Sequence, residues 1–597
     1  MKINKYIGFT MMAASILATS SCSDWNDWNE AQTDPNISSG QNLWENITGN
    51  PELQNFTAVL EKVNMQETFQ ANKFYTIWAP VMTDAQRDSV LALDESVIKE
   101  QFVNNHVAEY NHQATGILSE RVHTVNEKAY DFSGMGSEYS FNNVKIVKAN
   151  IPNSNGTLHI IDGTSPFLPN AYQSMWMTDN VDSIANYFKL YELTELDESQ
   201  SVPGPIVNGR QTYIDSVMVT YNSMTNDINA SLNNEDSIYT FILPNNEAYE
   251  KMYNAIKSLY KYKESTQAQD VANAAASSFT TITGTANVDY LNQLSDSLIR
   301  RQIVNYLAYS HTNGYNKMYF EEGSLAYDTI VSTYRENREN KKFSEPDLIF
   351  DEAHIVDNIR LSNGEAVVVD SLGFKSWETY NPELIENGTM PCRTLRGNAM
   401  RKTLTSPDSS MVDLTDGRNF SYLELTPTGT TQKPEADYYL TNVLSGTYRI
   451  YVVIPPASVD ITDSTTLVQP NWLNFTLNYY NGTRLVDYAF TNERFDPNNN
   501  EVITTNPTTG DEVRTAIDNT DFFNDTNKVD TLLLGEFTFP YCYSGLTDVY
   551  PNIKVTISSK MSTLSSRGHL NAFDRTMRIN AIIMRPVEYD KYLKDEE

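Results

Sequence analysis

Phe74-Tyr75-Thr76-Ile77-Trp78-Ala79-Pro80 and Ile238-Tyr239-Thr240-Phe241-Ile242-Leu243-Pro244 decide the fold of this chain, because they are two versions of one strand pattern. Each is an apolar run, rich in β-branched and aromatic residues, that ends at a proline. Each is followed by a polar turn and the start of a helix. Thr83 can cap the first of these helices, and Asn245 or Asn246 can cap the second.

Two further landmarks follow in the same order in both halves. Residues 97–104 and 298–305 carry apolar side chains at helical spacing, which predicts an amphipathic helix. Asn155-Gly156 and Asn363-Gly364 each precede an apolar run, which predicts a hairpin turn that leads into a strand. Three matched landmarks indicate two copies of one domain.

These residues resemble the fasciclin family. The second copy has the closer first motif, from Thr240-Phe241-Ile242-Leu243-Pro244 to Tyr249, and the first copy has the closer middle motif, Phe102-Val103-Asn104-Asn105-His106-Val107. The resemblance covers residues 41–170 and 171–385. It implies two compact α/β domains used in adhesion and surface assembly, with no established catalytic activity.

The two copies differ at one polar position of the middle motif. Leu307 lies in the second copy where the first has His106, so a histidine is not required in both. We therefore expect His106 to be a hydrogen-bonded structural residue rather than part of a site.

The C-terminal part, residues 386–597, has a different texture. Short alternating runs at 446–454, 472–480, 531–539, 553–558 and 577–584 are separated by Gly, Pro, Asn and Asp. This pattern predicts an all-β sandwich, of jelly-roll or galactose-binding-like type. The strand Gly446-Thr447-Tyr448-Arg449-Ile450-Tyr451-Val452 and the last strand, residues 578–587, are similar to strands of galactose-binding-like carbohydrate-binding modules, so the resemblance implies glycan binding.

One of these strands suggests where a ligand would bind. Period-two alternation sends Leu473, Phe475, Leu477 and Tyr479 to the core and the intervening residues outward. An outward face with aromatic rings at its ends and amides between suits a sugar. The alternative is a polar face whose aromatic residues pack on neighbours. The candidate ligand-binding residues are Trp472, Asn474, Asn478 and Tyr480.

The N-terminus predicts export and lipid attachment. Lys2 and Lys5 precede an apolar run and then small residues before Cys22, which is the order of a signal peptide over residues 1–21. The pattern resembles a lipoprotein signal, which implies acylation of Cys22, although Thr19 departs from the usual leucine. An ordinary secreted protein is the alternative.

The segment after Cys22 is acidic. Residues 22–40 resemble the surface-export tethers of Bacteroidetes-type lipoproteins, so we expect a lipid-anchored protein on the outer membrane that faces the cell exterior.

Composition narrows the classes of partner. The chain has 597 residues and a formal net charge of -32, so it is long enough for several domains and ill suited to a phosphate backbone. We therefore expect no nucleic-acid partner. No second apolar run is long enough to span a membrane.

The remaining chemistry is sparse. Cys392 and Cys542 can form a disulfide or stay as two buried thiols. The sequence contains no catalytic motif or metal-binding cluster of standard spacing, so we expect no enzyme activity, metal or cofactor. A group of oxygen-bearing side chains between Asp518 and Asp525 can be a calcium loop, but turn chemistry explains it equally well.

Three functions remain open. The first is a non-catalytic surface lipoprotein that binds a glycan or another nutrient. Its resemblance to accessories of starch-utilisation-type uptake systems implies an outer-membrane transporter or another lipoprotein as partner. The second is a structural adhesin or assembly subunit without a small ligand. The third is a glycan-processing enzyme.

Overall fold

The computed structural model describes residues 40–261, 296–321, 329–336, 338–388, 392–403, 421–429, 431–460, 466–481, 484–544, 553–561 and 572–595. They form two compact units. The first unit takes its described residues from 1–246, 307–346 and 352–370, and the second takes them from 247–306, 347–351 and 371–597. The signal peptide and all of the tether except Gly40 lie outside the described residues. The domain limits stay predictions.

The first unit contains short helices and strands. Its helices are α1 (Leu43–Thr48), α2 (Gln54–Lys62), α3 (Gln66–Gln70), α4 (Asp84–Leu91), α5 (Glu95–Val97), α6 (Ala171–Met177), α7 (Asp182–Lys189), α8 (Ser223–Asp227) and α11 (Gly314–Phe320). Its strands are β1 (Tyr75–Pro80), β2 (Val107–Glu109), β3 (Ile117–His123), β4 (Ala129–Met135), β5 (Glu138–Phe141), β6 (Val144–Asn153), β7 (Gly156–Ile161), β8 (Glu192–Leu196), β9 (Val202–Val207), β10 (Arg210–Asp215), β11 (Met218–Asn222), β12 (Tyr239–Pro244), β13 (Ala308–Ser310), β14 (Ile330–Glu336), β15 (Glu339–Phe343), β16 (Ile355–Leu361) and β17 (Gly364–Val369).

The second unit is mainly β-structure. Its helices are α9 (Asn246–Leu259), which begins at the last residue of the first unit, α10 (296–304), α12 (Pro346–Ile349), which begins in the first unit, and α13 (Val587–Asp595). Its strands are β18 (Leu384–Asn387), β19 (Cys392–Arg396), β20 (Asn398–Thr403), β21 (Ser421–Thr426), β22 (Glu435–Tyr439), β23 (Thr447–Ile454), β24 (Trp472–Tyr480), β25 (Leu485–Ala489), β26 (Glu501–Thr505), β27 (Glu512–Ala516), β28 (Phe522–Phe523), β29 (Asp530–Thr538), β30 (Lys554–Ser559), β31 (Met577–Ile579) and β32 (Ala581–Pro586).

The internal repeat is visible in the strand pairing. β1 is parallel to β7 and antiparallel to β2, and β12 is parallel to β17 and antiparallel to β13. The register is the same in both copies, since Tyr75 lies opposite Gly156 and Tyr239 lies opposite Gly364. The two strand motifs therefore occupy equivalent central positions in their sheets.

The hairpins before β7 and β17 form, but their loops lie one residue earlier than predicted. The loop residues are Ser154-Asn155 and Ser362-Asn363, and each glycine is the first residue of its strand. Gly156 and Gly364 have φ angles of 153° and 133°. A Cβ at either position would lie within 2.0 Å of a backbone oxygen, so the glycines permit a close approach to the neighbouring strand.

The asparagine of this motif joins separate segments of its domain. In the first copy, Asn155 Oδ1 accepts from the Leu43 N–H at 2.9 Å, and its Nδ2 donates to the carbonyls of Phe69 and Ala71. This amide ties the hairpin to α1 and to the end of α3. Because Asn155 is only 3 % exposed, its hydrogen bonds are shielded from water.

The second copy has the same arrangement. Asn363 Oδ1 accepts from the Ala171 N–H at 2.8 Å, and its Nδ2 donates to the carbonyls of Leu232 and Asn234. The hairpin is thus tied to α6 and to the segment before β12. An asparagine that fastens helix to hairpin is a shared feature of both copies.

The helix that follows β1 begins as predicted, whereas the middle helix is less regular. Thr83 and Gln86 form a reciprocal capping box at the start of α4. The predicted amphipathic helix over 97–104 is split, since α5 continues into a π-helix over Ile98–Val103 and a short 3₁₀ turn. Ile98 and Val103 face the core, which the predicted spacing required.

Two apolar clusters hold the first copy together, one that includes its helices and one formed mainly by its strands. Trp78 stacks on Phe141 at 4.1 Å between ring centroids and is completely buried. The helical cluster is built from residues including Leu43, Phe56, Leu60, Phe69, Ile77 and Leu158. The sheet cluster includes Trp78, Val122, Tyr130, Phe132, Phe141 and Ile161.

The predicted sandwich is present in the second unit. One sheet has the strand order β18-β32-β23-β29, and the other has β19-β22-β30-β24-β25. Leu473, Phe475 and Leu477 are buried between them, and Tyr479 is partly buried against the same core. The fold is therefore two α/β fasciclin-like domains followed by an all-β sandwich. The predicted run 577–584 is two strands rather than one, because it breaks at Asn580.

Candidate functional site

The candidate site is the outward face of the sheet that contains β24. Antiparallel pairing places β24 between β30 and β25, with β22 on the far side of β30. The alternation that buries Leu473, Phe475 and Leu477 turns Asn474, Thr476 and Asn478 outward. We call this surface the polar face; its members are Glu435, Asp437, Tyr439, Asn474, Thr476, Asn478, Asp487, Lys554, Thr556 and Ser558.

Asp437 is the electrostatic centre of the polar face. Its carboxylate accepts from Lys554 Nζ at 2.6 Å and from the Thr556 hydroxyl at 2.7 Å. Asp437 is 1 % exposed, whereas the Lys554 side chain is 26 % exposed. The carboxylate is therefore neutralised by an ion pair, while part of the Lys554 side chain remains exposed.

The amides predicted to meet a ligand are already oriented by neighbours. Asn474 Oδ1 accepts a short hydrogen bond from the Ser558 hydroxyl, and Asn478 Nδ2 donates to Asp487 at 2.7 Å. One hydrogen-bonding group of each amide is thus used within the sheet, which fixes the direction of the remaining group. Both asparagines are half-buried.

Thr476 lies at the middle of this face. Its neighbours across the strands are Thr556 and Ala489, both of them small. The centre of the polar face therefore has small side chains, with amides, a carboxylate and an ammonium group around them. Such a surface can offer several donors and acceptors to hydroxyl groups at once.

The Trp472 ring is partly covered by other side chains, whereas a sugar-binding face would present an exposed ring. Its indole packs on Phe573 and Phe523, with centroids at 5.2 and 6.0 Å, and Nε1 donates to Asp521 at 2.8 Å. Lys560 lies over the ring at 5.9 Å. These contacts, which come from distant segments of the chain, leave the ring half-buried. This agrees with the alternative that Trp472 packs on its neighbours. A ligand-binding role for Trp472 stays a prediction.

Tyr480 is the other aromatic residue of the predicted face. Its backbone closes β24 opposite Leu485, and its side chain lies outside the described residues. The pair Asn481-Gly482 that follows it in the sequence predicts a hairpin turn, and Gly482 also lies outside the described residues.

The suggested calcium loop is occupied by turn and ion-pair contacts. Asp521 accepts from Trp472 and forms an ion pair with Lys560. Hydrogen bonds from the hydroxyl and N–H of Thr520 hold the pKa of Asp518 below its usual range. Within the part of the chain that the structure describes, no group of three or more His, Cys, Asp or Glu side chains could hold a metal ion.

The cysteine pair stays a prediction. Cys542 is fully buried, and its backbone N–H donates to the Lys261 carbonyl at 2.9 Å. Cys392 is the first residue of β19, but its side chain lies outside the described residues. Cys22 and its acylation lie outside them as well.

His106 is a hydrogen-bonded structural histidine, as predicted. Its Nδ1 lies 2.7 Å from the Phe102 carbonyl, and its Nε2 accepts from the Ser165 N–H at 2.9 Å. Complete burial lowers its pKa to about 4, against the opposing effect of the Phe102 hydrogen bond. His106 is therefore neutral, with its proton on Nδ1.

Sequence reasoning missed the polar residues contributed by β22 and β30. Asp437, Lys554 and Thr556 come from strands far from β24 in the chain. The period-two alternation of Lys554-Val555-Thr556-Ile557-Ser558 was available as a signal for an outward polar row. No signal in the sequence indicated which strands lie next to each other, because strand order is set by the whole sandwich.

Among the described residues, no helix is both long and apolar enough to cross a membrane.

Comparison with known proteins identifies one domain of the chain. The model of the fasciclin domain family matches residues 51–164. That segment is therefore similar to fasciclin domains, a class of domain associated with adhesion and binding. Comparison with curated proteins gave no significant match.

Several solved structures are similar to parts of this chain. One is a FAS1 domain pair of the insect cell adhesion molecule fasciclin I, at 14% identity and TM-score 0.18, covering 56% of this chain and 97% of that one. Another is the family 11 carbohydrate-binding module of Clostridium thermocellum in complex with a β-1,3-1,4-mixed-linked tetrasaccharide, at 11% identity and TM-score 0.16, covering 34% and 95%. The CBM22-1-GH10 modules of Clostridium thermocellum xylanase 10B match at 6% identity and TM-score 0.17, covering 34% and 28%.

Proposed function

We propose that the chain is a non-catalytic surface lipoprotein that binds a glycan on the polar face of its sandwich. One observation carries the proposal, namely the outward row Asn474, Thr476 and Asn478 beside the Asp437–Lys554 pair. Amides and hydroxyls held in one plane by a rigid sheet present fixed donors and acceptors, which is what a sugar ring with several hydroxyl groups requires.

The remainder of the proposal concerns location and partners. Acylated Cys22 would hold the protein at the outer membrane, and the chain would act as an accessory of an outer-membrane nutrient-uptake complex. Its support is the order of residues before and after Cys22 and the presence of a fasciclin domain at 51–164. The same domain favours the second candidate, a structural adhesin or assembly subunit with no small ligand.

A glycan-array screen with protein that begins at Ser23 tests the binding face. We expect one class of glycan to bind and Thr476→Trp to reduce its affinity at least about tenfold, because the indole would fill the centre of the face. Thr505→Trp is the matched control, since Thr505 is exposed on the β26–β27 hairpin of the same unit and should leave binding unchanged.

Three outcomes would contradict this function. Absence of binding to any glycan favours the adhesin, and binding that both tryptophan variants retain places the ligand elsewhere. Release of reducing sugar from a bound glycan would show that the chain is an enzyme. Trp472→Ala and Tyr480→Ala, measured in the same screen, determine whether either aromatic residue takes part.

A further inference from the structure

A two-stranded ribbon in the first unit exposes an unusual amount of apolar side chain. Strands β8 to β11, residues 192–222, form two consecutive antiparallel pairs, β8 with β11 and β9 with β10. Neither pair has a further strand beside it among the described residues. We call this ribbon the arm.

One face of the outer half of the arm carries three exposed apolar side chains together with the Thr212 hydroxyl. Val202, Gly204 and Ile206 share a face because they alternate along β9. Ile214 lies on that face too, since a Cβ at Gly204 would be 3.3 Å from its Cγ1. Val202 is 49 % exposed, Ile206 71 % and Ile214 77 %, so the branched side chains lie largely in water.

The fold itself does not explain this exposure. A two-stranded ribbon is at best marginally stable in water on its own, and a third layer usually covers one of its faces. The arm is anchored at its base, where Asn222 Nδ2 donates to the Phe188 carbonyl at 2.7 Å and Tyr172 donates to Glu192. An exposed apolar patch of this kind marks a contact surface.

Both edges of the outer half are protected against the addition of another strand. Pro203 and Pro205 lie in β9 and lack an N–H group. The pairing of β10 is interrupted on both sides of Tyr213 by irregular register. Prolines and bulges blunt edge strands, so recognition falls to the side chains of the apolar face rather than to backbone pairing.

The charge of the arm indicates which kind of partner can bind to that face: a second copy of this chain, a lipid surface or a different protein. Of the five carboxylates in residues 192–222, Asp197, Glu198 and Asp215 lie where the outer half begins, and the outer half carries one guanidinium group, Arg210, in a chain whose net charge is -32. A second copy would bring charges of the same sign to the interface, where they repel over the screening distance of about 8 Å at physiological salt. An anionic lipid surface would be repelled for the same reason.

We propose that the arm docks into a groove of a different protein, with an apolar floor for Val202, Ile206 and Ile214 and a rim of basic side chains that meets the carboxylates of the arm. The partner is defined by this chemistry. The docking surface does not depend on what the sandwich binds, so a failed glycan screen leaves it standing.

Site-specific photocrosslinking in cells of the source organism tests the arm. Full-length chain with p-benzoylphenylalanine at position 214 should give a discrete adduct with one other protein, and the crosslinked partner peptide should be apolar with net positive charge. The matched control carries the crosslinker at position 117, because Ile117 is 90 % exposed on β3 of the same unit. Position 117 should not yield that adduct.

Binding of the purified partner to the full chain completes the test. We expect Ile206→Ser with Ile214→Ser to weaken affinity at least about tenfold, as for anchor residues of an interface, and salt to weaken binding by the native chain. Ile117→Ser should not change affinity. The double variant should keep its thermal stability, because both side chains are mostly exposed.

Each other result overturns the proposal. An adduct of two copies would show self-association, and an adduct with lipid alone would show a membrane contact. No adduct from position 214, an acidic partner peptide, or full affinity of the double serine variant would show that the arm is not the docking surface.

Discussion

At the scale of single residues, His106 couples the first fasciclin-like copy to pH. It is neutral in the folded chain with a pKa of about 4, whereas an unfolded histidine has a pKa near 6.5. Between these values the unfolded state binds a proton that the folded state does not. Stability therefore falls as pH drops from about 6.5 to about 4, by about 1.4 kcal/mol per pH unit for this residue.

His106→Leu should remove the contribution of one bound proton from the slope of the unfolding free energy with pH. Hydrogen exchange of peptides that cover β1 measures the local free energy of opening at each pH. The variant should also lose about 1–3 kcal/mol at neutral pH, because the Ser165 N–H loses its buried acceptor. An unchanged slope between pH 4 and 6.5 would show that another group accounts for the dependence. His159 has a lowered pKa of about 4, again from burial first, so part of the slope should remain.

Residue identity predicted the position of His106 but not its partners. Leu307 in the second copy showed that the histidine is dispensable to the fold, and its burial followed from the apolar neighbours. Ser165 could not be named as a partner, because it lies 59 residues from His106 in the chain. The same holds for Asn155 and Asn363, which the sequence places in turns and the structure uses to fasten helices.

At the scale of elements, a buried ion pair joins the turn before β4 to the segment before β12. Lys128 Nζ lies 2.8 Å from Glu235 Oε1, and their side chains are 3 % and 8 % exposed. Asn170 donates to the same oxygen. Burial is the main cause that lowers the pKa of Lys128, and the nearby carboxylate opposes it.

Removing one partner of this pair should cost more than removing both. Glu235→Leu should lose about 3–5 kcal/mol of unfolding free energy because it leaves an uncompensated buried ammonium, and Lys128→Met with Glu235→Leu should recover most of it. Urea unfolding of the single and double variants measures the coupling. Glu52→Leu, which removes the exposed partner of Lys148, should cost less than about 1 kcal/mol. A double variant as unstable as the single would mean that Glu235 acts through other contacts.

The sequence predicted whether a segment is a helix or a strand more reliably than it predicted which segments lie next to each other. The strand patterns predicted at 74–80, 238–244 and 472–480 match β1, β12 and β24, the first two to within one residue, since alternation and β-branched residues are local properties. Trp472 lies on the predicted side of its strand, but its surroundings come from Phe523 and Phe573. The exposure of the arm could not be predicted, because alternating apolar residues along a strand normally indicate a buried face.

At the scale of the whole molecule, the proposed lipid anchor, docking arm and polar face assign separate tasks to separate parts of an acidic chain. Each buried acyl CH₂ contributes about 0.8 kcal/mol, so two or more chains on Cys22 would hold the protein at a membrane without help from its domains. The arm would then select a partner, and the sandwich a ligand. The relative contribution of anchor and arm to membrane retention can be measured.

Cys22→Ser should move the protein from the membrane fraction to the soluble fraction and remove acyl mass from its N-terminal peptide, while the folded domains keep their thermal stability. Cys392→Ser is the control, because it also removes one thiol but should leave the protein on the membrane. If Cys22→Ser stays membrane-bound, adding Ile206→Ser and Ile214→Ser separates the two explanations. Release by the triple variant would mean that the arm holds the chain through its partner, whereas continued retention would contradict both the anchor and the arm as the means of attachment.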